Sequence, residues 1–366
     1  MVQSQEQSGA PRVLVVGCGG IGGIVAANLA EMDVPVSAVT GNAEIAQVLN
    51  TQGARVREEG AERVVKGITA WAELPVDAGP FDFILLATQP TAVEEAARRA
   101  SSALAPQGRM VCFQNGLCEQ RVARFVGEDR VLGGIVAWGA TMEAPGVYDR
   151  TAAGGFVLGR MDGKNETQVE QLATLLETVG PVERTTNMAG ARWSKLAINC
   201  AISALGTLGG ERLGPLMRHR FIRRLCLEIM TETVAVSKAN NIRLEKVSGT
   251  LDLDWLALTE AERAMGLGSP ALFAKHTMLL AVGARYRRLR SSMLAAIERG
   301  RPPAVDFLNG EVVDRAAQHG IAVPINTEIR AAIHRVARKE IAPSLESARA
   351  LFEATRHVRG RDAAAA

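Results

Sequence analysis

Three polar side chains recur at four-residue intervals in an apolar segment near the middle of the 366-residue chain. Lys195, Asn199 and Ser203 interrupt a run that ends at Leu205, and in a helix this spacing places them on one face. Burying an unpaired ammonium is costly, so Lys195 either faces a cleft or a partner, or extends to solvent from the start of the helix. In a cleft its pKa would be perturbed, which makes it a candidate functional group.

A second candidate site is a glycine loop near the start of the chain. It matches G-x-G-x-x-G and lies between an aliphatic run and an Ala- and Leu-rich segment. In that context the glycines permit a tight turn, close approach of a pyrophosphate and close helix–strand packing, and the helix N-terminus attracts the phosphates. The loop therefore predicts a dinucleotide site, the alternative being a turn that serves packing alone. Its residues are Gly17, Cys18, Gly19, Gly20, Ile21 and Gly22.

The residue that meets the adenosine ribose should follow the second strand. An acid there favours NAD and an arginine favours NADP, but this chain has Val39-Thr40-Gly41-Asn42. Thr40 and Asn42 are able to hydrogen-bond a phosphate, and no acid stands among these four residues to repel one. The sequence therefore favours NADP, unless this loop does not discriminate and NAD is used.

The elements that position these residues alternate in the first half of the chain. Aliphatic runs at 13–16, 34–39, 83–87 and 110–113 predict strands, and the segments between them predict helices, one of them capped by Thr91 with Glu94. This alternation predicts a doubly wound parallel sheet. After Gly159 the patterns become helical, which predicts an all-α second domain. The predicted helices are 168–178, 189–205, 219–240, 270–299, 304–319 and 325–338.

The expected domain organisation follows from these patterns. We expect a flexible arm, a dinucleotide-binding domain, a helical substrate domain and a tail, at residues 1–11, 12–186, 187–357 and 358–366. The long helical half is compatible with a homodimer, which nothing in the sequence proves.

Composition excludes several other classes. A net charge of +3 is too small to indicate nucleic acid as the main partner, and no apolar stretch is long enough for a membrane span. The five histidines have no metal-ligand spacing, so no metal site is predicted. Five cysteines form no CxxC pair and favour a reducing, cytoplasmic compartment. They are Cys18, Cys112, Cys118, Cys200 and Cys226.

Five motifs occur in a fixed order between about residue 12 and about residue 340. They are the glycine loop, Gln114-Asn115-Gly116, Trp193-x-Lys195-Leu196-x-x-Asn199, Ser291-Ser292-Met293 and Asp306-Phe307-Leu308-Asn309-Gly310. By these motifs the chain resembles the ketopantoate reductase (2-dehydropantoate 2-reductase) family, and the lysine segment and the Asp-x-x-Asn-Gly segment are the most specific of them.

The resemblance implies a Rossmann domain followed by a helical domain, with NADPH and a small carbonyl substrate in the cleft between them. Lys195 takes the place of the family's general acid, which protonates the carbonyl oxygen as hydride arrives. Asn115 matches the family's catalytic-site asparagine near nicotinamide and substrate. Asn199 and Ser292 match substrate-contacting positions.

Four positions depart from the family pattern near substrate or cofactor. Gln89 replaces a lysine, Ser203 and Leu289 replace asparagines, and Ala304 replaces the glutamate that the family uses to bind the hydroxyl of ketopantoate. These changes make the pocket less charged and more apolar, so we expect a carbonyl substrate other than ketopantoate. The alternative is that Glu298 or another acid compensates and the enzyme is a true 2-dehydropantoate 2-reductase.

Three further interpretations are compatible with the sequence. If the run from Arg285 to Ser292 is helical, Arg285, Arg288 and Ser292 share a face, and one arginine could bind a substrate carboxylate, although a solvated basic face is the more frequent outcome. The chain could also be an opine- or 3-hydroxyacid-type dehydrogenase. Finally, the missing acid at Ala304 is compatible with a dinucleotide sensor that has lost turnover.

Overall fold

The computed structural model describes residues 9–246, 251–264 and 269–357 of the chain. The predicted tail at 358–366 and most of the predicted arm lie outside these residues. The described chain forms two compact units, the first ending at Met188 and the second beginning at Ala189, except that Asn115–Leu117 belong to the second.

The strands are β1 (Val13–Val16), β2 (Val36–Val39), β3 (Ala54–Glu58), β4 (Ala61–Val65), β5 (Thr69–Trp71), β6 (Phe81–Leu86), β7 (Leu104–Cys112), β8 (Val131–Val136), β9 (Gly139–Ala144), β10 (Val147–Ala152), β11 (Phe156–Arg160) and β12 (Val182–Arg184). The helices are α1 (Gly20–Glu31), α2 (Ala43–Thr51), α3 (Val93–Ala100), α4 (Glu119–Val126), α5 (Thr167–Leu176), α6 (Met188–Gly209), α7 (Leu213–Arg218), α8 (Arg220–Ala239), α9 (Leu253–Leu256), α10 (Glu260–Ala264), α11 (Pro270–Arg285), α12 (Ser292–Glu298), α13 (Asn309–Gln318), α14 (Pro324–Ala337) and α15 (Leu345–Ala354).

The first unit is built on an eight-stranded sheet in the order β12-β11-β8-β7-β6-β1-β2-β5. Strands β5, β2, β1, β6, β7 and β8 run parallel, as the alternation of strands and helices predicts, and β11 is antiparallel to β8. The chain order reverses at β1, between β2 and β6, and parallel sheets bind ligands at the carboxyl ends of strands at such a switch point. The predicted Rossmann sheet is confirmed.

A second sheet in the same unit was not predicted from the sequence. Its order is β4-β3-β10-β9, and it packs against α1. Helix α1 is therefore enclosed by two sheets, which is why its residues from Gly22 to Leu29 are all buried. Because a helix buried on every side has no polar face, the amphipathic pattern that would have signalled this second layer is missing.

The second unit is helical, and its apolar core is centred on α6 and α8. No helix in the described part of the chain is long and apolar enough to cross a membrane.

The structure corrects the sequence analysis at three helix boundaries. The predicted helix 270–299 is two helices, because α11 ends at Arg285 and Ser291 caps a new helix. The predicted helix 304–319 begins as a 3₁₀ turn, Ala304–Phe307, before α13. Thr91 does not cap α3, because Pro90 begins a 3₁₀ turn that contains Thr91 and places Ala92 at the cap.

Candidate active site

The glycine loop connects β1 to α1 and is glycine-rich for two distinct reasons. Gly17 has φ +99°, and a Cβ there would lie 2.8 Å from the Thr88 nitrogen. A Cβ on Gly22 would lie 1.9 Å from the Gly17 carbonyl oxygen, so Gly22 allows the helix to start directly against the turn. Both glycines are therefore required by the packing of the protein itself.

Gly19 differs, because nothing in the protein requires it to be glycine. Its φ is −73°, and a Cβ built there would have no other heavy atom of the described chain within 4 Å. It is the N-cap of α1 and has no side chain to bond the first helical N–H groups, which have no partner within a helix. An open space at an uncapped helix N-terminus fits an incoming pyrophosphate, so the residues present fit a dinucleotide.

The residues between these glycines line the loop without reactive groups. The Cys18 thiol is buried, which raises its pKa to about 12 and keeps it protonated. Its carbonyl accepts a hydrogen bond from the Tyr148 hydroxyl at 3.4 Å, which ties the loop to β10. A Cβ on Gly20 would lie 2.5 Å from the Ala140 oxygen of β9, so the second sheet packs directly beside the start of α1. Ile21, beside it in the first turn, is partly buried.

The turn after β2 is held by its own side chains. The Thr40 hydroxyl donates to the Asn42 carbonyl at 2.5 Å and accepts from the Asn42 N–H at 3.0 Å. The Asn42 side-chain oxygen accepts from the N–H groups of Glu44 and Ile45 at 2.8 and 3.2 Å and so caps α2. Thr40 and Asn42, which the sequence predicts to bind a phosphate, thus have an internal role through the Thr40 hydroxyl and the Asn42 side-chain oxygen.

Two further candidates follow the carboxyl ends of β6 and β7. Gln89 is exposed, and its carbonyl accepts from the Ala92 N–H at 3.0 Å. Asn115 is exposed three residues after β7. Beside it, Gln114 is buried and its side-chain nitrogen donates to the Leu86 carbonyl at 3.0 Å and to the Thr88 hydroxyl at 3.2 Å. Gln114 thus fixes the strand ends around the turn that carries Asn115.

In the second unit, Lys195, Asn199 and Ser203 share one face of α6, as predicted. All three are half-buried, whereas most of the surrounding helix is fully buried. Ile198 and Ile202 have the same intermediate exposure, so an open stripe runs along this face. The side-chain nitrogen of Asn199 is buried and has no hydrogen-bond partner within the described residues. The stripe combines an ammonium, an unsatisfied amide donor and a hydroxyl.

Lys195 has an unusual proton affinity. Desolvation, and to a lesser degree the neighbouring charge of Arg192, lower the pKa of Lys195 to about 7. Arg192 is one turn earlier in α6 and is buried, with 1% of its surface exposed. Lys195 is also the eighth residue of α6, so it does not extend from the helix start. An amine with a pKa near 7 is able to give up a proton at neutral pH.

The start of α12 meets α6 through Ser291 and not through Ser292. The Ser291 hydroxyl donates to the Ser203 carbonyl at 2.9 Å, lies 2.8 Å from the Thr207 hydroxyl and caps α12 by accepting from the Leu294 N–H at 3.3 Å. Ser292 is the first helical residue and is exposed. Ser291 is therefore structural, and Ser292 is the serine with an accessible hydroxyl.

Arg285, Arg288 and Ser292 do not share a helical face, because a loop precedes Ser291. Helix α11 ends at Arg285, so Arg288 and Ser292 do not continue one helical face, and the arginines from 285 to 290 are exposed. Leu289 is 47% exposed, and its backbone pairs with Tyr286 and Leu213, both at 2.9 Å.

The Asp-x-x-Asn-Gly segment begins next to Ala304. Ala304 opens the 3₁₀ turn and is partly buried. Two residues later, Asp306 is bound by Arg330 at 2.7 Å and by His334 at 3.0 Å, which lowers the pKa of its carboxyl group although burial opposes the change. A Cβ on Gly116, whose φ is +96°, would lie 2.4 Å from the Phe307 oxygen, so the Asn115 turn packs against this segment.

A buried polar network between α8 and α14 was not predicted from the sequence. Glu232 of α8 accepts from the Ile325 and Asn326 N–H groups at 2.9 and 2.8 Å, and from the Asn326 side chain at 2.7 Å. Burial nevertheless raises the pKa of Glu232 to about 7. The only sequence signal was an acid at a core position of an amphipathic helix, with its partners more than ninety residues away.

Comparison with known proteins agrees with this arrangement. The profiles of the ketopantoate reductase PanE/ApbA family match residues 13–163 and, for its C-terminal part, residues 187–337. A 2-dehydropantoate 2-reductase of Halobacterium salinarum is 28% identical over 318 residues, covering 86% of this chain and 95% of that protein. One from Pyrococcus horikoshii is 23% identical over 317 residues, covering 86% and 94%.

Solved structures share the fold. A PanE/ApbA family ketopantoate reductase from Ralstonia eutropha JMP134 has a TM-score of 0.74 at 23% identity, covering 90% of this chain and 99% of that one. D-mandelate dehydrogenase with NADH and anilino(oxo)acetate has a TM-score of 0.75 at 18% identity, with the same coverage. The class defined by fold and site is that of NAD(P)-dependent oxidoreductases that act on a keto group. Within that class, the chain belongs to the ketopantoate reductase PanE/ApbA family, which confirms the resemblance found in the sequence.

Proposed function

We propose that this protein reduces a 2-oxo acid or a related ketone to the hydroxy compound, with Lys195 as the general acid. The observation that carries the proposal is the position of Lys195 on the open stripe of α6, with its pKa lowered to about 7. Such an amine is protonated in a large share of molecules at neutral pH and gives up its proton easily, as the reaction demands. Family membership supports the same chemistry.

Different residues of the chain have separate roles in this reaction. Bound reduced nicotinamide dinucleotide supplies the hydride, which adds to the carbonyl carbon. Lys195 holds a proton at Nζ, stabilises the negative charge that develops on the carbonyl oxygen and transfers the proton to it, so that C=O becomes CH–OH. The backbone at Gly19 and the start of α1 would hold the pyrophosphate, and Asn115 would help to orient the nicotinamide and the carbonyl.

Asn199 and Ser292 would orient the substrate. The buried Asn199 nitrogen is an unsatisfied donor, and leaving such a group unpaired costs about 1–3 kcal/mol. A substrate oxygen would satisfy it, one helical turn from the lysine. The exposed Ser292 hydroxyl is the second polar contact that we assign to the substrate.

We further propose that the substrate is not ketopantoate. The four departures, Gln89, Ser203, Leu289 and Ala304, remove charge and amide groups from positions assigned to substrate or cofactor, and Ala304 removes the carboxylate that would bind a substrate hydroxyl. A site without that hydrogen-bond partner loses its preference for a hydroxylated substrate. The neighbour D-mandelate dehydrogenase, solved with anilino(oxo)acetate, shows a bulky 2-oxo acid bound within the same fold. A true 2-dehydropantoate 2-reductase is the competing assignment.

The test is turnover of a panel of carbonyl compounds. Purified protein with NADH or NADPH is assayed by loss of absorbance at the nicotinamide band against ketopantoate, aliphatic 2-oxo acids and aryl 2-oxo acids. We expect an apolar 2-oxo acid to be the best substrate by kcat/KM, whereas efficient reduction of ketopantoate would contradict altered specificity. Lys195→Ala should lower kcat about 10²–10⁴-fold without weakening dinucleotide binding, and Lys66→Ala, an exposed lysine of the first unit, is the matched control.

The same assay separates the other classes. Turnover that depends on an added amine would indicate an opine-type dehydrogenase. Dinucleotide binding with no carbonyl reduced across the panel would indicate a sensor. We propose the cytoplasm as the compartment, which is supported by five buried cysteines that form no disulfide bond within the described residues.

A further inference from the structure

The adenosine end of the proposed dinucleotide site carries an unusual charge pattern. In a Rossmann sheet the ribose of the adenosine lies at the carboxyl end of the second strand, here the turn from Thr40 to Asn42. A 2′-phosphate needs positive charge or free donors at that turn. In this chain the Asn42 side-chain oxygen already holds the Glu44 and Ile45 N–H groups, so the start of α2 is capped by the protein itself.

Two acidic residues flank this turn in the fold, Glu44 in α2 and Glu73 after β5. Glu44 lies in the first turn of α2 and is exposed. The Thr40 and Gly41 N–H groups donate to the Trp71 and Ala72 carbonyls at 2.9 and 3.1 Å. Glu73 is the next residue along that neighbouring segment. Glu73 is 85% exposed at its side chain.

The positive charge that would offset these carboxylates is missing from the turn. The segments 40–45 and 71–74 contain neither lysine nor arginine. Arg99 lies 3.8 Å from Glu73 and also binds Glu95, which Arg98 binds through two hydrogen bonds. These two arginines balance the charges of Glu73 and Glu95 and leave no positive charge for Glu44. Glu44 forms no ion pair within the described residues.

We infer that this protein binds NADH in preference to NADPH, and that Glu44 and Glu73 determine the choice. The inference rests on the proposed function and concerns only its cofactor. A 2′-phosphate placed at this turn adds about two negative charges beside two carboxylates, and the resulting repulsion is large at low ionic strength and decreases as salt screens it. This reverses the NADP preference that the sequence favoured. The Thr40 hydroxyl is bonded within the turn, and the side-chain donor left at Asn42 is an uncharged amide two residues from the carboxylate of Glu44.

The experiment measures binding without catalysis. NADH and NADPH are titrated into the full-length protein by fluorescence, and 5′-ADP and 2′,5′-ADP by calorimetry, each at low and at high salt. We expect NADH to bind about tenfold or more tightly than NADPH at low ionic strength, with the ratio decreasing towards one in high salt. Adenosine nucleotides without a nicotinamide should show the same preference, because the discrimination lies at the ribose.

The variants Glu44→Gln and Glu73→Gln assign the effect to residues. Each should reduce the NADH-to-NADPH affinity ratio about threefold, and the double variant should nearly abolish it, whereas Glu128→Gln, an exposed acid before β8, should leave it unchanged. Equal or tighter binding of NADPH by the unmodified protein would overturn the inference and leave the proposed reductase intact. An unchanged ratio in the double variant would overturn the assignment to these acids. Failure to bind either nucleotide would overturn the proposed function itself.

Discussion

Asn309 donates from its side-chain amide to the backbone carbonyl of Cys200, with the nitrogen and the oxygen 3.1 Å apart. Cys200 directly follows Asn199 in α6, so the Asp-x-x-Asn-Gly segment is tied to the helix that carries Lys195. The same amide donates to the Asn326 side chain at 2.9 Å, and Asn326 is held by Glu232. The asparagine of this motif is thus fully buried and links three helices.

Replacing Asn309 by alanine should destabilise the protein and loosen α6. The change removes two buried hydrogen bonds and leaves the Asn326 oxygen without that donor, which costs about 1–3 kcal/mol. Thermal or urea unfolding measures the loss, and kcat should decrease while the dinucleotide Kd stays the same. Asn165→Ala, an exposed asparagine in the first unit, is the control. Unchanged unfolding of Asn309→Ala would show that this link does not stabilise the fold.

Alanine should lower the stability of the fold at one glycine of the loop and leave it unchanged at another. Gly22→Ala should destabilise the fold by more than about 3 kcal/mol, because its Cβ would lie 1.9 Å from the Gly17 carbonyl, despite the better helix propensity of alanine. Gly19→Ala should fold normally, since its backbone is extended and its Cβ meets nothing within 4 Å.

The effect of Gly19→Ala should appear in binding. A methyl group there occupies the space that we assign to the pyrophosphate, so dinucleotide affinity should decrease at least about tenfold. Circular dichroism establishes that the variant is folded, and fluorescence titration with NADH measures the affinity. Normal NADH affinity in a folded Gly19→Ala variant would argue against a pyrophosphate at this position.

The pH dependence of the reaction should report the ionisation of Lys195. Its pKa is lowered from the ordinary 10.5 to about 7, so the ammonium form needed for reduction is present below pH 7 and is lost above it. Reductive kcat/KM should therefore decrease about tenfold per unit above pH 7, and the oxidative direction should show the opposite slope.

Lys195→Arg provides the comparison, because a guanidinium stays protonated throughout this range. Its residual activity should show no decline near pH 7, while Lys66→Ala should keep the parental profile. A parental profile that is flat from pH 6 to about pH 9 would rule out Lys195 as the titrating acid.

Replacing the two neighbouring serines at the start of α12 should have different effects, on stability for Ser291 and on substrate binding for Ser292. Ser291→Ala removes a helix cap and the bond to the Ser203 carbonyl, which costs about 1–2 kcal/mol and lowers the Tm by a few degrees. Ser292→Ala should leave the Tm unchanged and raise KM, because its hydroxyl is exposed and assigned to the substrate. The opposite pattern, with a KM effect confined to Ser291→Ala, would exchange the two roles.

The sequence by itself determined the features that depend on local chemistry. The glycine loop between a buried strand and a helix predicted a dinucleotide-binding turn, and the spacing of Lys195, Asn199 and Ser203 predicted one helical face. These inferences needed only the period of a helix and the steric freedom of glycine. The alternation of strands and helices likewise predicted the parallel sheet.

Only the tertiary structure decided features that depend on partners distant in the chain. Arg192 is buried one turn before Lys195, and desolvation together with the Arg192 charge lowers the pKa of the lysine, which the spacing of residues in the sequence does not show. The Asn42 oxygen, predicted to be available to a phosphate, caps α2. The predicted helix from 270 to 299 is interrupted, and Ser291 there caps α12 and bonds to α6. The hydrogen-bond partners of a polar side chain are set by the residues that the fold places next to it, and these are often far away in the sequence.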